Sequence, residues 1–268
     1  MTIPIACAQL ACAPFDPASN LDKADHAIYE AARQGARVIV LPEFLATSCA
    51  YDRRLHAFAE PVGGATTCWI QRRSRQTGCW IAGGIIERTD DCVFSTALLA
   101  GPAGELFAYR KQYTAFFEML YFHRGRSVGI FDTPLGRVGV MICWDMVHAR
   151  LSREMAGRID LLVICSAWPA LTGGNIPLYG VRSWLDRQPV QRPRRLAEGL
   201  NVPVVYCNLT GDFVTAVPYL GLTFRSQFAG ASSITDDSGL TVATADREEK
   251  LLLADVSRGR RARRREAA

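Results

Sequence analysis

The residue with most chemical potential in this sequence is a cysteine ending an apolar run, in Val140-Met141-Ile142-Cys143-Trp144-Asp145. A thiol attacks carbon well only as the thiolate, so it needs a base for its proton and a cation to offset charge. Histidine is the usual base, yet His26, His56, His123 and His148 have no evident triad setting. Glu43, in Leu41-Pro42-Glu43-Phe44, and Lys111, in Tyr109-Arg110-Lys111, would supply a base and a cation without histidine. Glu118 follows within an aromatic run of Tyr113, Phe116, Phe117, Tyr121 and Phe122. A glutamate there is either a buried partner of Lys or Arg, or a site carboxylate with a shifted pKa. Taken singly, each fragment has an ordinary explanation. Glu43 would be a solvated loop residue, Lys111 an edge-strand charge, and Cys143 one more buried cysteine like Cys7 and Cys165.

These residues need elements to hold them. Glu43, Lys111 and Cys143 each stand at or just beyond the end of an apolar run that reads as a strand: Arg37–Leu41, Leu106–Arg110 and Gly136–Cys143. Open α/β sheets place their ligand crevices at such strand ends. Further strands are expected at Ile3–Leu10, Trp80–Glu87, Val93–Ala100, Gly129–Asp132, Leu161–Cys165, Val204–Asn208, Phe228–Ile234, Leu240–Ala243 and Lys250–Val256. Helical periodicity covers Ala18–Gln34, with Ser19 or Asn20 near the N-cap, then Thr66–Thr77, His148–Gly157 and Pro193–Gly199. Asp145 is placed to cap the third of these. The alternation with hairpins predicts an α/β protein with mixed sheets and helices outside.

Composition narrows the function classes. The chain has 268 residues, 49% of them hydrophobic, with no linker or repeat, which predicts one domain over residues 1–257. The formal charge of +5 is misleading as a sign of nucleic-acid binding, because Arg258 to Glu266 holds six Arg and one Glu. That tail accounts for the whole excess, and residues 258–268 read as a disordered, solvated end rather than a nucleic-acid or membrane contact. Nine scattered cysteines without a Cys-x-x-Cys pair predict reduced thiols, no zinc site and no call for a metal or other cofactor. The start lacks a signal-peptide pattern and no apolar stretch reaches membrane length, so a soluble cytoplasmic protein is expected.

The three segments resemble the Glu-Lys-Cys signature of the nitrilase, or carbon–nitrogen hydrolase, superfamily, in order and in spacing. Phe228-Ala229-Gly230-Ala231-Ser232-Ser233-Ile234 with the Asp/Gly turn after it is similar to that family's closing hairpin. The similarity spans about residues 3–256. The resemblance implies a four-layer α-β-β-α sandwich that usually dimerises, with Glu43 as general base and Cys143 as nucleophile forming a thioester. It further implies that Lys111 and the backbone N–H after Cys143 hold the oxyanion, and that Glu118 is a supporting carboxylate. Cys143-Trp144-Asp145 resembles the amidases and N-carbamoyl-amine amidases, which favours amide or carbamoyl hydrolysis over nitrile hydrolysis. Acyl transfer to an amine, or a non-catalytic scaffold role, are the alternatives within the same fold. Tyr51, Trp144 and Trp168 are candidate pocket walls, with ordinary aromatic packing as the alternative. Two segments depart from the family pattern: Ala167–Arg195, and the Asp212–Gly221 loop after Asn208-Leu209-Thr210-Gly211.

Overall fold

The computed structural model describes residues 2–171, 174 and 182–257. The basic tail and part of the unusual 167–195 segment lie outside them. Strand β1 (Thr2–Gln9) is parallel to β2 (Val38–Val40), which is parallel to β3 (Trp80–Arg88). Antiparallel additions follow, β4 (Val93–Ala100) and β5 (Leu106–Arg110) on one side and the last strand, Lys250–Ser257, on the other. The second sheet has a parallel centre: Gly136–Ile142 (β7), Leu161–Cys165 (β8) and Val204–Cys207 (β9). Ile130–Thr133 (β6) flanks it on one edge. A hairpin of β10 (Asp212–Val217) and β11 (Leu222–Gln227) forms a separate two-stranded sheet. Strands β12 (Ser233–Thr235) and β13 (Thr241–Thr244) complete the second sheet, and Lys250–Ser257 is β14. Each large sheet has six strands, ordered β14-β1-β2-β3-β4-β5 and β13-β12-β9-β8-β7-β6.

The sheets meet face to face, β1 over β9, β3 over β8 and β4 over β7. Their central strands read as near-continuous apolar runs because both faces are covered. Helices α1 (Pro17–Arg33) and α2 (Ala65–Thr77) cover the first sheet; α3 (Ala149–Met155) and α4 (Arg182–Leu200) lie on the side of the second. This is the expected four-layer α-β-β-α sandwich. All nine cysteines are free thiols. Two of the buried ones stitch the sheets together, Cys7 donating to the Tyr206 carbonyl and Cys207 to the Ala8 carbonyl.

Four local expectations change. The cap of α1 is Asp16, whose carboxylate accepts from the Ser19 N–H at 3.2 Å, because Pro17 presets the first helical φ. Asn20 is instead buried, donating to the Ala13 and Ala46 carbonyls. Helix α4 begins well before Pro193 and passes through Pro189 and Pro193. Its buried stripe of Leu185, Pro189, Pro193, Ala197 and Leu200 keeps helical spacing, so tertiary burial offsets the lost backbone hydrogen bonds. The Phe228–Ile234 stretch does not continue as a strand, since Gly230 and Ala231 take φ of 59° and 56°. Of the Asp212–Gly221 loop only the last four residues are a turn, because alternating burial of Phe213 and Thr215 lets Asp212–Val217 pair as β10.

Candidate active site

Glu43 is carried past the end of β2 on backbone that hugs β3. The Leu41 N–H donates to the Ala82 carbonyl, and the Gly84 N–H to the Pro42 carbonyl at 3.0 Å. A Cβ on Gly84 would stand 2.7 Å from the Glu43 Cα, so only glycine admits this approach. The Glu43 N–H also donates to the Ser166 carbonyl beyond β8, tying the two sheets together beneath the carboxylate.

Lys111 follows β5, its N–H held by the Ser95 carbonyl at 2.9 Å, and its side chain is fully buried. Its Nζ donates to Glu43 Oε1 at 2.9 Å and lies 2.7 Å from Glu118 Oε2. Ser95 Oγ donates to the same Glu43 oxygen at 2.7 Å. Glu118 sits on a 3₁₀ turn, Phe116–Leu120, and its Oε2 accepts from the Ala115 N–H at 2.8 Å. Glu118 is thus a buried partner of Lys111, and it lines the same cavity as the cysteine.

Cys143 opens a second 3₁₀ turn, Cys143–Val147, directly after β7, with φ of 47°. A left-handed φ at a non-glycine residue is strained and persists where the surroundings impose it. Here they do so through Asp145, which does not cap α3. Its Oδ2 accepts from the Ile142 N–H at 3.0 Å and the Tyr109 hydroxyl at 2.8 Å. Its Oδ1 accepts from the N–H groups of Gln112 and Tyr113 at 3.2 and 2.9 Å. One buried carboxylate therefore locks the cysteine turn to the segment just after Lys111. Only its place two residues after Cys143 signalled a role, and Ser95 gave no signal at all.

The electrostatics follow from burial. It pushes the Cys143 thiol well up, and of the neighbouring charges Glu43 adds most to that rise while Lys111 opposes it. Burial alone would lower the Lys111 ammonium, but Glu118 and Glu43 outweigh it and hold the ammonium well above its usual range. Burial also raises Glu118, against the pull of Lys111. Asp145 is raised by burial to about 6, with Lys111 and its hydrogen-bond donors opposing. The site thus sets a thiol whose pKa burial has raised beside two carboxyl groups that both pair with the Lys111 side chain. Glu43 Oε2 is buried and has no hydrogen-bond partner among the described residues.

Tyr51, Trp144 and Trp168 line one cavity with Cys143 and Glu118. The indoles of Trp144 and Trp168 stack at 5.1 Å between ring centroids. Tyr51 packs edge-on against Phe117 and Phe213. No group of three or more metal-binding side chains occurs among the described residues, and none of their helices is long and apolar enough to cross a membrane.

The model of the carbon–nitrogen hydrolase family matches residues 4–266. The chain belongs to that family. It is accordingly a hydrolase of carbon–nitrogen bonds other than peptide bonds. The omega-amidase NIT2-B of Xenopus laevis is 30% identical over 249 residues, covering 88% of this chain and 82% of that one. A nitrilase of Pyrococcus abyssi is 34% identical over 146 residues, 53% of this chain and 56% of its own length. Among solved structures, a CN-hydrolase superfamily protein of Xanthomonas campestris superposes with a TM-score of 0.80 at 22% identity, over 100% of this chain and 95% of that one. A mutant of the amidase from Nesterenkonia sp. AN1, carrying acrylamide on its active-site cysteine, gives 0.77 at 19% identity, over 95% and 93%.

Proposed function

We propose that this hydrolase cleaves a small-molecule amide or N-carbamoyl compound through a thioester on Cys143. The observation that carries the proposal is the buried Glu43–Lys111–Glu118 array beside the buried Cys143 thiol, with Glu43 Oε2 left without a hydrogen-bond partner among the described residues. A thiol whose pKa burial has raised is poorly populated as thiolate, so sulfur attack is coupled to proton transfer, and Glu43, the carboxyl group whose charge weighs most on the thiol, is the base in this reading.

In that scheme the Cys143 proton passes to Glu43 as sulfur bonds to the carbonyl carbon. The oxyanion is held by the Lys111 ammonium and the Trp144 N–H, one of the donors that a helical turn leaves unpaired at its start. Collapse breaks the carbon–nitrogen bond, and the leaving amine or ammonia takes the proton from Glu43. Water then attacks the thioester, giving a proton to Glu43, which returns it to sulfur as the acid leaves. Glu118 keeps the ammonium charged and in place. Tyr51, Trp144 and Trp168 would wall the substrate. Amidase relatives and neighbours support an amide over a nitrile, and the nitrilase relative keeps nitriles in the test. We take the acting species to be a homodimer, as the family resemblance implies, which light scattering would check.

The test is ammonia release from a panel of amides, carbamoyl amines and nitriles. Turnover of an amide or carbamoyl amine that disappears in Cys143→Ala is expected, with an acyl adduct on Glu43→Gln in intact mass spectra. Silence on the whole panel, or turnover surviving Cys143→Ala, would overturn the scheme.

A further inference from the structure

Beside the narrow cavity over Cys143, about 10 Å³, lies a far roomier one of about 280 Å³ beneath the β10–β11 hairpin. The two share Tyr51, Phe116, Pro169 and Leu171 as walls, so they adjoin. We infer that the hairpin cavity is the acyl-chain subsite and takes an uncharged, extended aliphatic or aromatic group. The inference rests on the thioester scheme above.

Three observations carry it. The first is chemistry: the described residues lining the larger cavity include Phe117, Phe213, Phe224 and Leu222 and no Arg, Lys, His, Asp or Glu. The polar Thr215 among them is engaged, its Oγ1 accepting from the Tyr51 N–H at 2.6 Å. A carboxylate at the far end of a substrate would be buried there without a counter-charge or donor, which is costly. The second is size: the space at sulfur is about 10 Å³, too little for an extended group, whereas the adjoining one offers about 280 Å³. The third is adjacency to the nucleophile, which assigns the acyl side. The acyl group stays on sulfur through both half-reactions, whereas the amine must leave before water attacks, so a lodged, enclosed group serves the acyl part.

The test uses the full chain and linear primary amides from acetamide to octanamide, with adipic acid monoamide and N-hexylacetamide as comparators. We expect kcat/KM to rise about fourfold per methylene until the cavity fills, the value for burying one CH₂. Adipic acid monoamide should be about tenfold to a hundredfold poorer than hexanamide. Ala216→Trp, at an exposed β10 position on the cavity wall, should lower the hexanamide-to-acetamide ratio about tenfold or more by filling the space. Leu222→Ser, at the exposed start of β11, should lower the same ratio by removing apolar wall. A flat series, a preference for the carboxylated amide, or a gain along N-alkyl rather than acyl chains overturns the subsite. Turnover of acetamide with a flat series, or of carbamoyl amines alone, removes the subsite alone, while silence on every amide, carbamoyl amine and nitrile removes the thioester scheme along with it.

Discussion

The polar corner around Lys111 and the hairpin cavity share a wall yet are built on opposite principles. In the corner, buried charges meet at fixed distances, and their partners come from β4, from the residue after β5 and from the 3₁₀ turn at Phe116–Leu120. The cavity under β10 and β11 is apolar, larger, and roofed by a hairpin outside both main sheets. Charges in low dielectric tolerate little displacement, so they are mounted on the rigid core. An apolar wall needs only shape, so it can ride on an added hairpin. Breaking the corner should therefore damage every substrate equally, and altering the hairpin should change only the ratios between substrates.

The largest break is Cys143→Ala, which we expect to lower kcat/KM by about 10⁴-fold or more for short and long amides alike. A drop confined to long amides would erase the division between the two regions. Lys111→Met should abolish turnover and cost about 3–5 kcal/mol in a urea melt, because two buried carboxylates would then face each other. Unchanged stability would mean that Glu43 and Glu118 are not held by this lysine.

Asp145→Asn tests the lock between the two turns. An asparagine oxygen cannot accept from all four donors, so we expect roughly a 10²-fold loss in kcat with long and short amides affected alike. The wild type should also show two opposed pH trends. Folding raises this carboxyl from 3.8 to about 6. Between those values the folded chain holds a proton that the unfolded chain has released, so stability declines as pH rises through that window. Activity should run the other way, falling as pH drops below about 6, because a protonated Asp145 turns an O–H toward N–H donors. Both trends should vanish in the asparagine variant, as read by melts and pH–rate profiles. The smallest effect is Thr215→Val, which strands the buried Tyr51 N–H where the regions meet and should cost about 1–3 kcal/mol by denaturant titration.

The strands were legible wherever their burial is uniform. Leu161–Cys165 and Val93–Ala100 read as apolar runs in the sequence and form those elements. Boundaries failed where a partner far along the chain decides the local backbone. Helix α4 continues through two prolines because the second sheet takes its apolar stripe. The β10 strand was missed because only two of its six residues, Phe213 and Thr215, are buried and its partner, β11, supplies the rest of the signal.

By itself, the sequence determined the candidate reacting groups, their order, and the α/β alternation, since residue type and apolar period are local properties. It also placed each of Glu43, Lys111 and Cys143 beyond the end of a strand. Only the tertiary structure decided that those ends converge, that Glu118 shares the Lys111 ammonium, and that Asp145 clamps rather than caps. The hairpin cavity was likewise invisible, because its walls come from segments far apart in the chain, Tyr51 and Phe117 against Phe213 and Phe224. The physical reason is the same throughout: hydrogen bonds, shared charges and enclosed space belong to pairs of residues, and folding alone chooses the pairs.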